Sequence, residues 1–516
     1  MANVLELNID PDDIDDRDKL ERRLAHALRV SVDDLPSYRV RRRSIDARRQ
    51  HVRWRVLVEI EPELTPPLAL PCAVSSHPVV IVGGGPAGLF CAYELARHGI
   101  GSTVIDRGKQ VQPRRRDIAL LQRQGEVDPE SNYCFGEGGA GTFSDGKLYT
   151  RAHKRGDVSD ILRVLVHHGA PPDIMIDARP HIGSNKLPKV ITSIRASLEA
   201  CGVAFRFSTK AVNFTVERAT GQLAALELAD GQGLTGDAFV LATGHSARDV
   251  WDWLSAGGVA LEAKSFAIGA RIEHGQSWLN RCQYGAAATH PKLPAASYRL
   301  THSEAGVGVF SFCMCPGGWI VPSTTERDAV VVNGMSLSRR DSPFANSGIV
   351  VSIDPGRLEQ PDLFAGVRYQ AQIEQLAAAA GGGQQRAPAV RVKDFVEGKA
   401  SGALPKSSYV PGIAPADLAS VLDGGGLDLS TPLRSALRVF ERRLPGFVSN
   451  EAILVGVESR TSAPIRIVRD AQTLASVSHI NLYPCGEGAG YAGGIMSAAL
   501  DGQRVARAIV AKLGVA

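Results

Sequence analysis

Three glycines at the spacing G-x-G-x-x-G, Gly83, Gly85 and Gly88, carry the plainest chemical statement in this 516-residue chain. Gly83 permits a tight turn, Gly85 lets the backbone approach a pyrophosphate, and Gly88 lets a helix pack closely on a strand. Pro86 and Ala87 lie between them, and Asp106, followed by Arg107, is placed to meet an adenosine ribose. The chemistry is dinucleotide binding, with the pyrophosphate resting on a helix N-terminus where free N–H groups favour an anion. The elements that must position these residues are legible around them. Val79–Val82 is an apolar run that reads as a buried parallel strand. A helical pattern follows from Leu89 to Arg97, then a Gly99-Ile100-Gly101 turn, then a second strand, Thr103 to Ile105, ending at Asp106.

Three later stretches could press on the same ligand. Residues 134–150, CFGEGGAGTFSDGKLYT, hold five glycines, and glycine is costly inside helices and strands. A loop laid flat against a ligand explains them, with Gly138, Gly139, Gly141, Thr142 and Ser144 as its contacts; a long surface loop is the bland alternative. A buried strand, Ala238 to Leu241, ends in Ala242-Thr243-Gly244. Near the C-terminus a strand ends in Gly486-Glu487, a glycine-rich turn carries Gly493 and Gly494, and a helix runs from about Gly494, with Ile495 in its first turn.

Four residues are candidates for catalysis. Cys313 and Cys315 lie one residue apart before a Pro-Gly turn and could form a disulfide or supply a thiolate. Against that, buried cysteine often behaves as a small hydrophobe, and C-x-C disulfides are geometrically tight. Arg460, in Glu458-Ser459-Arg460-Thr461-Ser462-Ala463-Pro464, could grip an anionic substrate, as could Arg466, or could pair with a glutamate structurally. His245 could donate a proton, since an unperturbed imidazole titrates near neutrality, or could be structural.

The motifs VGGGPAGLF (82–90), FGEGGAGTFSDGKL (135–148), ATGHSARD (242–249), FCMCPGG (312–318), NGMS (333–336), GVESRTSAPIRI (456–467) and GEGAGYAGGIMSAALDG (486–502) occur in that order. With them the chain resembles the bacterial FAD-dependent dehydrogenase, or NAD(FAD)-utilising dehydrogenase, family within the glutathione-reductase-like FAD superfamily. The resemblance implies FAD and oxidoreductase activity. It implies that Thr243 and Gly244 end a strand crossing beneath the cofactor, and that Glu487, where aspartate is usual, holds the ribityl or pyrophosphate region. It also implies a helix at Gly494 aimed at the flavin.

The expected fold is mixed α/β: a discontinuous Rossmann-like FAD/NAD(P)-binding domain with an inserted α+β cap and a small N-terminal α/β module. The expected boundaries are 1–64 for the module, 65–76 for a Pro-rich linker, 77–264 and 451–516 for the FAD-binding domain, and 265–450 for the cap or substrate domain. Strand patterns in the cap fall at 267–273, 306–314, 319–321 and 329–332, with helices at 361–381 and 430–444. No second G-x-G-x-x-G follows a strand, so NAD(P)H, if it is the electron donor, binds transiently.

Residues 39–55 carry arginines at 39, 41, 42, 43, 48, 49, 53 and 55 against one acid, Asp46. They read as a solvated sheet face offset by the acidic 10–18 stretch, or as a docking patch for an anionic or electron-transfer partner. A net charge of +4 does not point to nucleic acid. The eight cysteines have no zinc or disulfide spacing, no apolar run is long enough to span a membrane, and no secretory signal is visible. A cytoplasmic protein without a metal site is expected. The expected function is hydride transfer between FAD and a small organic substrate; an FAD monooxygenase is the alternative, and an FAD-containing binding protein acting through the arginine-rich module the further one.

Overall fold

The computed structural model describes residues 3–48, 51–64, 66–74, 79–150, 156–359 and 361–514. Arg49 and the linker residues 65, 75 and 76 lie outside them.

A five-stranded parallel sheet has the order Leu482–Pro484, Ala238–Leu241, Val79–Val82, Ser102–Ile105, Ala204–Arg206. Strands Leu482–Pro484, Ala238–Leu241 and Val79–Val82 are buried throughout because both faces are covered, which is why the last two read as continuous hydrophobic runs, whereas Ser102–Ile105 opens with Ser102-Thr103 and the edge strand Ala204–Arg206 is not buried. Val79 and Ile81 point to helices Pro86–Arg97 and Ile495–Leu513. Val80 and Val82 point the other way, to a three-stranded antiparallel sheet (Ala211–Val216, Leu223–Leu228, Gly233–Thr235) and helix Arg248–Ala256. Chain order reverses at Val79–Val82, and a crevice at the carboxyl ends beside such a reversal is where open α/β sheets bind ligands.

The intervening chain builds a seven-stranded sheet in the order Thr301–Glu304, Val307–Cys315, Phe344–Ile353, Phe266–Gly275, Ile453–Glu458, Ala387–Arg391, Ile413–Pro415. All neighbours are antiparallel except the last pair. Helices Ala365–Gly381, Leu418–Asp423 and Ser430–Arg443 pack on it through Ile373, Leu422, Leu437 and Phe440. The expected strand at 329–332 begins only at Val332; Ala329 to Val331 are buried but unpaired in any strand. The third strand of that order, Phe344–Ile353, escapes a period-two reading because it is buried on both faces.

Residues 3–60 form a three-stranded antiparallel sheet, order Asn3–Ile9, Arg53–Ile60, Tyr38–Asp46, under helix Arg17–Leu28. Trp54, Val56, Val58 and Ile60 face that helix, which Asp16 caps through the Lys19 N–H at 3.0 Å. The arginines are offset mainly by other acids than the 10–18 stretch. Arg39 pairs with Glu59, Arg48 with Asp46, and Arg55 with Glu6, while Arg53 reaches Asp10 at 3.9 Å. Arg43 ties the module to the body: its N–H meets Ile176 O at 2.7 Å and its side chain meets Asp177 at 2.5 Å. The acidic stretch docks on the cap instead, Asp12 on His290 and Asp15 on Lys292.

A Cβ at Gly269, on the central cap strand, would sit 2.0 Å from Ile349 O. Gly269→Ala is therefore expected to lower unfolding free energy by about 1–3 kcal/mol or more, as overpacking does, measured by denaturant titration; an unchanged midpoint would contradict the packing described.

Candidate functional site

The site is built where glycine turns meet at the carboxyl edge of the parallel sheet. A Cβ at Gly83 would lie 2.3 Å from Ala242 O, and one at Gly488 would lie 2.3 Å from Gly244 O. The turns after three strands therefore touch backbone to backbone, and only glycine allows it. The loop 134–146 lies against the first turn: Gly138 N–H donates to Gly84 O at 2.8 Å, and a Cβ on Gly139 would be 3.0 Å from Gly85 Cα.

Two buried side chains hold this assembly. The Asp106 carboxylate accepts backbone N–H groups from Gly84 (2.8 Å), Gly108 (2.8 Å) and Gly136 (3.0 Å). Arg114, on helix Val111–Gln124, donates to the carbonyls of Asn132 (2.8 Å), Tyr133 (3.0 Å), Glu137 (2.8 Å) and Gly139 (2.8 Å). Arg114 is 0% exposed; burial pulls its pKa down to about 10, which still leaves it charged at neutral pH.

These turns wall one end of a cavity of about 1950 Å³ that continues between the cap and the N-terminal module. That exceeds the roughly 300–1,000 Å³ of ordinary ligand pockets, so it has room for a dinucleotide and a second molecule. Two helix N-termini open into it, those of Pro86–Arg97 and Ile495–Leu513. A Cβ at Gly244, Gly493 or Gly494 would meet nothing within 4 Å, so bare backbone faces the space. This cradle fits a dinucleotide with an anionic pyrophosphate.

Of the predicted contacts, Gly83, Gly85, Pro86, Ala87, Asp106, Arg107, Gly139, Gly141, Ser144, Thr243, Gly244, Glu487, Gly493, Gly494 and Ile495 line the cavity. Gly88 does not; a Cβ there would strike Gly83 O at 2.0 Å, so it serves helix packing. Gly138, Thr142 and Gly486 lie behind the wall, not on it. A Cβ on Gly138 would strike Thr142 Oγ1, the Thr142 hydroxyl donates to Glu137 O at 2.8 Å, and Gly486 N–H donates to Asp501 at 2.8 Å. Asp106 reaches the cavity, but three of its lone pairs clasp the loops. Arg107 packs over Phe135 and pairs with Asp249 and Glu130.

The catalytic candidates change character. Arg460 does not present a free fork to an anion. Its Nε and Nη2 meet Glu374 at 3.0 and 2.8 Å, Nη1 meets Thr325 at 2.8 Å, and Arg248 and Ser459 complete the cluster around Glu374. Burial opposes the Glu374 charge, but Arg460 and Arg248 outweigh it and hold its pKa down at about 2. His245 lines the cavity 3.7 Å from Glu487, but burial, Arg460 and Arg248 push its pKa down to about 4. It is neutral near pH 7 and is no ready acid. Glu487 is the group that titrates near neutrality: burial, opposed by Lys264, raises its pKa to about 7. Cys313 lines the cavity and Cys315 lies behind it, with Lys147 Nζ 3.5 and 3.6 Å from the two sulfurs. Lys147 and Glu374 have partners far away in sequence, and Arg114 binds backbone carbonyls 18–25 residues on, which is why their roles are invisible in the spacing of residues.

Residues 265–461 match the family model described as "FAD-dependent protein, C-terminal domain-like", 76–127 match an FAD binding domain, and 1–61 match a domain of unknown function. An uncharacterised protein of Clostridium beijerinckii is 38% identical over 537 aligned residues, covering 99% of this chain and 98% of that one. Among solved structures, CtdE in complex with FAD is 12% identical over 86% of this chain and 87% of its own, with a TM-score of 0.34. A triple mutant of the flavin-dependent brominase Bmp2 is 10% identical over 85% and 80%, with a TM-score of 0.37.

Two expectations test this geometry. Arg114→Met strands four buried carbonyls and is expected to lower stability by about 3 kcal/mol or more and to weaken cofactor retention on gel filtration; wild-type stability with retained cofactor would contradict the clasp. Glu374 has a folded pKa below its ordinary 4.5, so its contribution is full above about pH 4.5 and is lost as pH falls towards 2. Glu374→Gln leaves Arg460 and Arg248 without their carboxylate and is expected to cost about 3–5 kcal/mol at pH 7, with a flattened acid limb in the pH-stability curve.

Proposed function

The chain belongs to the FAD-dependent protein family that it shares with the Clostridium beijerinckii relative, and from that footing we propose that it is a dehydrogenase or reductase acting on an organic substrate in the outer part of the cavity. FAD is its cofactor and oxidoreduction its general chemistry. When bound, FAD supplies reversible two-electron hydride transfer. In this reading the nucleotide-binding sheet is Rossmann-like and discontinuous, its last strand, Leu482–Pro484, coming from the far end of the chain.

The observation that carries the proposal is the continuity of the cavity. One continuous cavity is lined by the glycine cradle, by Glu487 and Cys313, and by Arg42, Arg299 and Arg339. None of these three arginines has an ion-pair partner among the described residues, so they suit an anionic donor such as NAD(P)H, or an anionic substrate. The chain's own residues then divide the work. The N–H groups at Gly85 and Ala87 bind the pyrophosphate. The N-terminus of Ile495–Leu513 favours negative charge at the ring end. Neutral His245 orients, and Glu487, whose pKa is about 7, takes up or gives the proton that accompanies hydride transfer. The Glu374 cluster fixes the cavity wall in place of binding substrate.

A monooxygenase would use the same cavity, and one experiment separates the two. NADH or NADPH is added anaerobically to the FAD-loaded protein while flavin absorbance is followed, and oxygen is then admitted. The dehydrogenase or reductase reading predicts bleaching and slow recovery in air. Rapid recovery that quickens further with an organic substrate would favour the oxygenase. No bleaching by nicotinamides, with dithionite effective, would exclude them as donors.

A further inference from the structure

We infer that Cys313, Cys315 and Lys147 form a second reactive centre in the cavity wall, a dithiol that exchanges with small disulfide-bearing molecules, Cys313 attacking and Cys315 resolving.

The geometry starts with an irregularity. Strand Val307–Cys315 loses its register against Phe344–Ile353 between Phe312 and Cys315, and Cys313 adopts φ +43°. A non-glycine residue in the left-handed region is uncommon and tends to persist where the surroundings impose it. In a regular strand, residues two apart stand roughly 6.5–7 Å from one another along the chain, too far for their sulfurs to share a small partner comfortably. The bulge instead turns both thiols onto one ammonium, Lys147 Nζ, at 3.5 and 3.6 Å. The Cys315 thiol also hydrogen-bonds back to Cys313 O at 3.3 Å, which curls the three residues further.

The two sulfurs are not equivalent. Cys313 is partly exposed and lines the cavity, whereas Cys315 is 0% exposed behind it. That is the arrangement an attacking and a resolving thiol require: a substrate reaches the first, and the second is shielded until a mixed disulfide forms beside it. Two cysteines serving only as small hydrophobes would not draw a lysine ammonium between them. Charge supports the same roles. The Cys315 thiol beside it, then Lys147 and Arg271, hold Cys313 well below the ordinary thiol range against the penalty of burial, while Cys315 is held well above it. An adjacent ammonium is the usual means of keeping a thiol as the nucleophilic thiolate.

The chemistry balances with a low-molecular-weight disulfide as oxidant. The Cys313 thiolate attacks one sulfur of R–S–S–R, forming Cys313–S–S–R and releasing RS⁻. Cys315 gives its proton to that anion and attacks Cys313, which closes the Cys313–Cys315 disulfide and expels the second RS⁻. The thiolate–thiol pair loses two electrons and one proton, and the disulfide gains them as one thiol and one thiolate, the latter taking its proton from solvent. None of these steps depends on the hydride chemistry proposed above.

The test uses the reduced, full-length, FAD-loaded protein and the small disulfide dithiodipyridine. Tryptic peptide 300–327 contains Cys313 and Cys315 and no other cysteine, so mass spectrometry reads the centre by itself. Expected is loss of two hydrogens from that peptide, while exposed Cys282 stops at a mixed disulfide. Cys315→Ser should halt at the mixed disulfide on Cys313. Lys147→Met should slow iodoacetamide alkylation of Cys313 at neutral pH by roughly tenfold or more, with Lys147→Arg restoring most of the rate. A wild-type peptide left as a stable mixed disulfide, or Cys313 no more reactive than Cys72, would overturn the inference without reference to any variant's folding or to flavin reduction.

Discussion

The architecture depends on keeping polar backbone paired while glycine turns are pressed together at one sheet edge. Close approach of Gly83 to Ala242, Gly139 to Gly85 and Gly488 to Gly244 leaves no room for side chains between them. Their N–H and C=O groups must therefore be satisfied from behind. Asp106 does this for three N–H groups and Arg114 for four carbonyls, one charge of each sign. Buried charges are tolerable when every lone pair and proton has a partner. The result is a rigid cradle whose free N–H groups, at two helix N-termini, point into the cavity.

The same solution recurs in the cap. Glu374 is surrounded by Arg460, Arg248 and Ser459, and Arg271 is held by Glu458, Asn346 and the Cys313 carbonyl. A Cβ on Gly334 would strike the Arg271 guanidinium at 1.9 Å, so a glycine on a neighbouring strand makes room for that charge. These clusters fix the cap strands that face the cradle, and through Arg271 they fix the backbone of the thiol-bearing bulge. Structure and chemistry thus meet at the segment from Cys313 to Cys315.

Much of the nucleotide end was readable because its requirements are local. Glycine spacing, an apolar run before it and an acid after the next strand all lie between Val79 and Asp106, and each residue type has a steric reason to be there. The alternating Trp54, Val56, Val58 and Ile60 likewise marked a one-sided strand. What stayed hidden depends on distant partners. Arg460 stayed open between gripping an anion and pairing with a glutamate, because its partner Glu374 is far away in sequence, on helix Ala365–Gly381. His245 stayed open between proton donor and structural residue, because burial and two arginine charges cannot be read from its neighbours. Gly138, Thr142 and Gly486 sat correctly in their loops but on the wrong side of the wall. Phe344–Ile353 gave no pattern, being buried on both faces. Cys313 and Cys315 were noticed by their spacing, yet only the bulge and Lys147 give them a geometry.

The central claim is that the cradle clasped by Asp106 and Arg114 seats the cofactor, leaving the outer cavity to a second molecule. A crystal structure of the FAD complex tests it most directly. The pyrophosphate is expected against the N–H groups at Gly85 and Ala87, with the flavin ring between the Gly494 turn and the wall carrying Glu487 and Cys313. FAD seated instead against Arg299 and Arg339, with the glycine cradle vacant, would contradict it.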